Sequence, residues 1–212
     1  MREMKMKIQI NYKKVLVWVL VTLLTVLIIS SALLVINFTI FYPDLTLLAE
    51  GKVIDFFHQI TLPIKIAKLS IQQPDSKILM PVYGARISQI SNTWLAPRND
   101  ERLHEGQDIF AVRGTPVFSA TKGYIIAIRE NTELGGNSIS IIGAGGRRYY
   151  YAHLDRFADG LAVGQKVSTD TVIGFVGSTG NAKATPPHLH FGAYALRQAI
   201  DPLKFLVDRP RF

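Results

Sequence analysis

The sequence predicts a mainly β protein, in which one antiparallel β-sheet domain follows a single N-terminal transmembrane helix and a short connector. Three observations predict this arrangement. An uncharged apolar run lies near the N-terminus of the 212-residue chain. From about residue 78, short β-branched and aromatic runs alternate with glycine-containing turns, and no long amphipathic helical pattern appears there. The chain has no cysteine, which excludes disulfide bonds, thiolate metal sites and thiol nucleophiles.

The apolar run covers residues 15–41. As an α-helix it would be about 40 Å long, which exceeds the ~30 Å hydrocarbon core of a bilayer. The apolar part of a cleaved signal peptide is usually about 7–15 residues long, although Ser30, Ser31 and Ala32 are small enough for a signal peptidase. The length of the run therefore favours a transmembrane anchor over a cleaved signal or a buried helix of a soluble core.

The charge of the chain is unevenly distributed. The net charge is +8, and residues 1–14 carry five basic side chains against one acidic side chain. The positive-inside rule then predicts a cytoplasmic basic tail at 1–14 and places everything after the span outside. Residues 79–212 carry fifteen basic and eleven acidic side chains, an excess too mild to indicate a nucleic-acid-binding protein.

A connector is predicted at residues 42–78, where apolar residues occur at mixed spacing. Pro63 is expected to interrupt any single helix there, and Gln72-Gln73-Pro74-Asp75 is typical of the end of a linker. The sheet domain is then expected at 79–212, which is long enough to bury a core without disulfide bonds.

Six strands are predicted in the sheet domain from their β-branched and aromatic residues. They are Pro116–Ala120, Tyr124–Arg129, Ser138–Ile142, Arg147–His153, Val172–Val176 and His188–Tyr194. Side chains alternate along a strand, so Tyr149 and Tyr151 are expected on the same face as His153, with Tyr150 on the other. One of the two faces is expected to be core, and a substrate contact for Tyr151 is an alternative interpretation.

Four histidines lie in the sheet domain: His104, His153, His188 and His190. The first stands four residues before Asp108, and the last two form an H-x-H pair that would project to one side of a strand. Zinc accepts imidazole and carboxylate ligands, and three protein ligands with an open position for water are typical of a catalytic site. Each motif alone also occurs without function, with Asp108 in a turn or His153 on the surface. Their joint occurrence favours a site.

Eight stretches of the sheet domain occur in an order that one known family shares. They are His104–Ile109, Gly114–Val117, Lys122–Ile125, Tyr151–Leu154, Gly164–Val167, Ile173–Gly180, Pro187–Phe191 and Asp201–Leu203. Through them, the chain from about residue 80 to 206 resembles the lysostaphin/LytM-type zinc metallopeptidases, which cut peptide stems or bridges of bacterial peptidoglycan. The resemblance implies a LytM-type peptidase domain at 79–212, and it does not extend to residues 1–75.

The resemblance implies one zinc ion per domain, bound by His104, Asp108 and His190. It makes His153 and His188 the catalytic pair and leaves open which of them orients the attacking water and which moves its proton. The implied function is a membrane-anchored zinc metalloendopeptidase that hydrolyses peptide cross-links or stems of peptidoglycan by attack of a zinc-bound water.

The implied location is the cytoplasmic membrane of a bacterium, which the chain crosses once, with the catalytic domain periplasmic or extracellular. The partners would be peptidoglycan, the membrane through the N-terminal helix, and an unidentified cell-envelope protein.

The sequence departs from the family pattern at two positions beside the expected site. Gly192 stands where the family often has an acidic residue, and Pro186 stands where a glycine is common. These departures motivate an alternative, a non-catalytic wall-binding module that activates or recruits another cell-wall hydrolase. A third interpretation is an enzyme of the same chemistry that acts on a different glycine-rich protein.

Overall fold

The computed structural model describes residues 12–41, 60–98 and 102–210. The chain divides into two compact units, Met1–Val53 and Ile54–Phe212. The predicted basic tail up to residue 11 and the first part of the predicted connector, residues 42–59, lie outside the described residues.

Helix α1 (Tyr12–Phe41) makes up the described part of the first unit. Its segment Lys13–Leu34 is long and apolar enough to cross a membrane, and none of it is buried; a signal sequence has the same properties. Four hydroxyl groups donate hydrogen bonds of 2.8–2.9 Å to carbonyl oxygens three residues earlier in the helix, those of Thr22, Thr25, Ser30 and Ser31. The helix thus satisfies these polar groups internally, as a lipid environment requires.

A second helix, α2, covers residues 60–70. Pro63 lies inside this helix, so the expectation that it interrupts a helix in the connector is wrong. Proline lacks the backbone N–H and its ring crowds the carbonyl group four residues earlier, and here the helix nevertheless continues to residue 70. Helix α2 belongs to the second unit, where its side chains at 62, 66 and 69 are partly buried. The Lys65 Nζ atom lies 5.3 Å from the centre of the Tyr124 ring.

The described residues of the second unit form eleven strands and four single-turn 3₁₀ helices. The strands are β1 (Ile78–Leu79), β2 (Gln107–Phe110), β3 (Pro116–Phe118), β4 (Gly123–Thr132), β5 (Gly136–Ile142), β6 (Arg148–Phe157), β7 (Lys166–Val167), β8 (Val172–Val176), β9 (His188–Ala195), β10 (Gln198–Ile200) and β11 (Leu206–Val207). The 3₁₀ helices are Ile87–Gln89, Ala144–Gly146, Gly180–Ala182 and Pro202–Lys204.

Nine of these strands form one antiparallel sheet. Its main path runs β10-β9-β6-β5-β4-β7, while β2 pairs with β9, and β8 pairs with both β6 and β3. Strands β1 and β11 form a separate parallel pair. Every predicted strand overlaps an observed one, and the predicted fold class, a mainly β domain after one apolar helix, is confirmed. The strands that the sequence did not predict have two to four residues, too few to show alternation.

The hydrophobic core fixes how β6 and β9 lie against each other. Tyr149, Tyr151, Leu189 and Phe191 have no exposed surface. Tyr151 and Phe191 are directly opposed across the two strands, and the rings of Tyr149 and Phe191 are parallel with centres 6.1 Å apart. Because alternate residues of β9 fill this core, its other residues face the opposite side of the sheet.

A β-bulge in β6 changes the face on which His153 lies. Tyr151 pairs with Ile139 and Leu154 with Asn137, so two residues of β6 stand opposite one residue of β5. His153 is in this bulge and has a positive φ of 62°. The expectation from regular alternation is therefore wrong: His153 lies on the side of Tyr150, since an inserted residue reverses the alternation.

The substrate contact considered for Tyr151 is also wrong. The Tyr151 ring is in the core, and its hydroxyl oxygen accepts a hydrogen bond of 3.0 Å from the Ala120 backbone N–H.

Candidate active site

Strand pairing brings Asp108 and the H-x-H pair together. Asp108 lies on β2 rather than in a turn, directly opposite His190 of β9, and Phe110 is opposite His188. Directly opposed residues of antiparallel strands project to the same face. His188 and His190 therefore share the face away from the core, as their spacing predicts, and Asp108 joins them there.

Three candidate ligand atoms converge at this face. The His104 Nε2 atom lies 2.8 Å from His190 Nδ1, and both nitrogens lie 3.1 Å from the Asp108 Oδ1 atom. These three residues form a group that could hold a metal ion. Two ligands of a tetrahedral zinc ion are about 3.3 Å apart when each bond is about 2.0 Å, so the observed spacing is close to what zinc requires.

The hydrogen bonds of His104 orient its lone pair towards this point. Its Nδ1–H donates to the Thr93 carbonyl oxygen over 2.7 Å, because a carbonyl oxygen can only accept. The Nε2 atom then carries a lone pair beside the Asp108 carboxylate. Acceptor groups meet at short distance only when a cation or proton lies between them, so the chemistry of this donor set fits a metal ion.

His153 and His188 lie beside the three candidate ligands. The His153 Nδ1–H donates to the Thr179 carbonyl oxygen and the His188 Nδ1–H to the Pro186 carbonyl oxygen, each over 2.9 Å. Both rings thus keep an Nε2 lone pair. The His188 Nε2 atom lies 3.9 Å from Asp108 Oδ1, and the centres of the His153 and His188 rings are 5.0 Å apart. All five predicted site residues are therefore brought together.

Burial and hydrogen bonding set the charges of these groups. Burial alone would raise the pKa of the Asp108 carboxyl, but the neighbouring His104 and His190 side chains outweigh it and hold that pKa well below its ordinary value. Burial, together with the neighbouring His190 and His188, lowers the pKa of His153 to about 4. At neutral pH the site therefore contains a carboxylate and a neutral His153, the form that can accept a proton.

We expect acid to destabilise the metal-free protein. The pKa of His153 is about 4 in the folded chain and 6.5 in the absence of the fold. Between pH 4 and pH 6.5 the unfolded chain therefore binds one proton more than the folded chain. The free energy of unfolding should fall as the pH decreases from about 6.5 towards 4, by up to about 1.4 kcal/mol per pH unit for this group. This free energy is measured at each pH by denaturant titration, with near-ultraviolet circular dichroism as the signal of unfolding. His153→Asn should reduce the slope, and an unchanged slope would contradict the assignment.

Gly106, between His104 and Asp108, leaves room for a site residue. A Cβ atom at this position would lie 2.6 Å from Cε1 and 2.8 Å from Nε2 of His190, and 2.9 Å from the Phe191 carbonyl oxygen. The His190 ring therefore packs directly on the glycine backbone, which explains why no side chain stands there.

We predict that Gly106→Ala weakens metal binding by pushing the His190 ring out of place. Displacing a ligand through its support typically costs about 10–100-fold in metal affinity. Zinc titration in competition with a chromogenic chelator would measure the zinc affinity of the variant and of the wild type. The control is Ser76→Ala, at an exposed position that does not line the cleft. Gly114→Ala would not serve, because Gly114 has a positive φ that alanine does not favour. Equal affinity in Gly106→Ala and the wild type would contradict the packing argument.

Several residues that support the site were missed by sequence reasoning. The buried Gln107 side chain accepts from the Thr93 N–H over 2.9 Å and donates to Asn92 Oδ1 and Asp201 Oδ1, which holds the loop that orients His104. Thr179 supports His153, and its hydroxyl donates to the Leu154 carbonyl oxygen over 2.9 Å. Most of these contacts use backbone atoms, which no side-chain pattern reveals.

The two departures from the family pattern have local explanations. The Pro186 contact with His188 is made by its backbone carbonyl, which any residue would supply. A Cβ atom at the buried Gly192 would lie 3.0 Å from the Tyr194 ring and 3.2 Å from the Glu105 carbonyl oxygen. An acidic side chain at Gly192 would therefore displace the Tyr194 ring, over which the Arg148 guanidinium lies at 4.1 Å.

Three of the five residues line an open cleft of about 990 Å³. Its lining includes His104, His153 and His190 together with Arg98, Tyr150 and Tyr194. The Arg98 guanidinium donates to the second Asp108 oxygen over 3.3 Å. The cleft has space for several residues of an extended peptide beside the candidate metal site.

Comparison with known proteins identifies the family. Residues 102–202 match Peptidase family M23. The chain contains a Peptidase M23 domain. The M23 match contains all five predicted site residues, and the predicted resemblance to lysostaphin/LytM-type peptidases is confirmed.

Named relatives of this M23 chain are peptidases. It is 41% identical over 110 residues to the L-Ala–D-Glu endopeptidase of Bacillus subtilis, covering 49% of this chain and 33% of that protein. It is 37% identical over 109 residues to lysostaphin of Staphylococcus simulans, and the match covers 49% of this chain and 21% of lysostaphin. Among solved structures, a zinc-containing peptidase from Vibrio cholerae is 28% identical, with 62% of this chain and 40% of that chain covered and a TM-score of 0.51. The M23 chain thus spans a third or less of these two curated relatives.

Proposed function

We propose that the protein is a membrane-anchored zinc metalloendopeptidase that hydrolyses peptide cross-links or stems of bacterial peptidoglycan. The observation that carries this proposal is the convergence of His104, Asp108 and His190 at a cleft beside two further histidines with free Nε2 lone pairs. Family membership supports a cell-wall peptidase.

His104, Asp108 and His190 are the proposed zinc ligands, one ion per domain. When bound, zinc would polarise the scissile carbonyl group and lower the pKa of the water that attacks it. The chain's own residues keep the ligands fixed: Thr93 orients the His104 ring, and Arg98 binds the second Asp108 oxygen. Such support keeps the ligand atoms aimed at one point before the ion arrives.

His153 and His188 are the proposed catalytic residues. Each ring donates its Nδ1–H to a backbone carbonyl oxygen, so each Nε2 atom is free to accept or share a proton at the cleft. One imidazole can orient the attacking water and accept its proton, and the other can hydrogen-bond to the oxygen of the scissile group or deliver a proton to the leaving amine. The wall peptide would be positioned along the cleft past Tyr150 and Tyr194.

The proposed topology follows from the apolar helix and the charge distribution. Residues 1–14 would be cytoplasmic, 15–41 would span the cytoplasmic membrane, 42–78 would connect, and the peptidase domain at 79–212 would be periplasmic or extracellular. That location exposes the cleft to peptidoglycan.

Digestion of purified cross-linked peptidoglycan by the full chain in detergent tests the function. We expect loss of cross-linked fragments, with new amino and carboxyl ends that mass spectrometry assigns to one bond type. The matched control is the same chain with His153→Asn. Wall binding without any new ends, in protein whose zinc content is confirmed, would instead support the alternative of a non-catalytic module that recruits another hydrolase.

A further inference from the structure

A second cavity of the sheet domain shares no lining residue with the cleft of the candidate active site. It is a groove of about 460 Å³ between the segment that follows α2 and the end of the sheet where β4 pairs with β7. Strands β6 and β5 stand between β4 and the strand β9 that carries His188 and His190. The groove is therefore separate from the proposed catalytic residues, and we call it the lysine groove.

Four ammonium groups give the lysine groove a positive charge. Lys77, Lys122 and Lys166 line it and are exposed. The Lys65 Nζ atom lies 5.3 Å from the centre of the Tyr124 ring, which lines the groove as well. The three lining lysines form no ion pair with any residue that the structure describes. Their charges are therefore available to a ligand.

Strand pairing fixes the side to which two of these lysines project. Tyr124 of β4 stands directly opposite Lys166 of β7, so both side chains project to one face. The neighbouring Val167 is buried in the core, which makes the face of Lys166 the outer one. Lys122 stands two residues before Tyr124 and shares that face by alternation. The positive charge thus belongs to a rigid wall of the groove.

A single carboxylate, that of Asp75, is present among the described lining residues. It accepts a hydrogen bond from the Thr121 hydroxyl, and the Asp75 backbone carbonyl oxygen accepts one of 3.0 Å from the Arg147 guanidinium. These contacts attach the segment after α2 to the sheet domain. One engaged carboxylate leaves the charge of the three lining lysines largely uncompensated.

The type of cation indicates phosphate as the ligand group. No arginine is among the described lining residues. Guanidinium groups match the planar carboxylate with two parallel hydrogen bonds, whereas an ammonium group is a compact point charge that suits phosphate oxygens. The lysines also come from three separate segments, the one after α2, the start of β4, and β7. A chain with several phosphates fits this distribution better than a single ion.

We propose that the lysine groove binds a linear polymer of polyol phosphodiesters. This binding is additional to the proposed hydrolysis, and it holds the domain against an anionic polymer while the cleft stays open. A nucleic acid is a poorer ligand, because Tyr124 is the one aromatic side chain among the described lining residues and Lys65 already approaches its ring. A bilayer surface is a poorer ligand too, since its phosphates lie in a plane and the lysines line a groove.

Binding of a fluorescent glycerol phosphate oligomer to the full chain in nonionic detergent tests this proposal. The groove variant is Lys122→Gln with Lys166→Gln, which removes two charges and keeps the side-chain length. The matched control is Lys183→Gln with Lys204→Gln, two exposed lysines that line neither cavity. Fluorescence anisotropy gives the affinity at several salt concentrations. Unlabelled competitors are the same oligomer, polyglutamate, single-stranded DNA and the monomeric glycerophosphoglycerol headgroup.

We expect the groove variant to bind the oligomer about tenfold more weakly, because two charge-assisted contacts are lost, and the control variant to bind like the wild type. The logarithm of the wild-type binding constant should fall with the logarithm of salt concentration by about 0.7 for each phosphate neutralised, or about 2 for three lysines. Cleavage of peptidoglycan that carries no phosphate polymer should be unchanged in both variants.

Three kinds of result would overturn the proposal. Equal weakening in the groove and control variants would mean attraction by the overall charge of the chain. Competition by polyglutamate or DNA as strong as that by the oligomer would remove the preference for a polyol phosphodiester, and equal competition by the monomeric headgroup, at the same phosphate concentration, would make the ligand a lipid headgroup. Loss of peptidoglycan cleavage in the groove variant alone would show that the groove belongs to the hydrolytic site. Oligomer binding as expected in a chain without any hydrolysis would contradict the proposed function and leave the groove assignment intact.

Discussion

His190→Ala is expected to abolish both zinc retention and peptidoglycan hydrolysis. The His190 Nδ1 atom lies 2.8 Å from His104 Nε2 and 3.1 Å from Asp108 Oδ1, so its removal leaves two of the three proposed ligands. Removing a residue that only supports a ligand typically lowers metal affinity about 10–100-fold, and removing a ligand itself should lower it further. Metal analysis after dialysis and the release of wall fragments are the two measurements.

A folding control is needed because His190 is nearly buried. Alanine at this position also leaves a small cavity, so thermal unfolding of metal-free variant and wild type should be compared, and His190→Gln should repeat the loss of zinc with less change in volume. A His190→Ala protein that keeps stoichiometric zinc and full activity would contradict the assignment.

His153→Asn should retain zinc and lose turnover by about 10²–10⁴-fold, the range expected for removal of a group that transfers a proton. Asparagine is the suitable replacement because His153 has a positive φ of 62°, which asparagine tolerates better than most residues. The side chain does not supply any of the three converging ligand atoms.

The separation of zinc content from turnover is the decisive feature of this variant. Loss of zinc in His153→Asn would make His153 a ligand and the proposed division of roles wrong. Unchanged turnover would remove His153 from the catalytic pair. We expect the same result for His188→Asn, since the Nδ1 atom of His188 is also held by a backbone carbonyl oxygen.

Residue spacing was enough to predict that His188 and His190 project together, because both belong to a regular strand, whereas the family resemblance supplied the roles of His104, Asp108 and His153. The H-x-H pair lies on one face of β9, and its alternate neighbours Leu189 and Phe191 fill the core. The six predicted strands could be recognised because each is a run of five or more residues with β-branched or aromatic side chains. Asp108 was harder to place, because β2 has only four residues and its position depends on pairing with a strand far away in the sequence.

The remaining features depend on irregular backbone and on backbone partners. The bulge that turns His153 towards the cleft is an added residue in the β5–β6 register, which alternation cannot reveal. Thr93, Pro186 and Thr179 hold three histidines through their carbonyl oxygens, which every residue type possesses. Pro63 within α2 illustrates the same limit, since tertiary packing decides whether a proline ends a helix.

Titration of zinc into the metal-free full chain tests the central claim most directly, when bound zinc and cleavage of cross-linked peptidoglycan are followed in the same samples. The account predicts that cleavage is absent without metal, that it rises in proportion to bound zinc, and that both reach a maximum at one ion per chain. Cleavage by chain that contains no metal, or saturation with zinc without any cleavage, would contradict it.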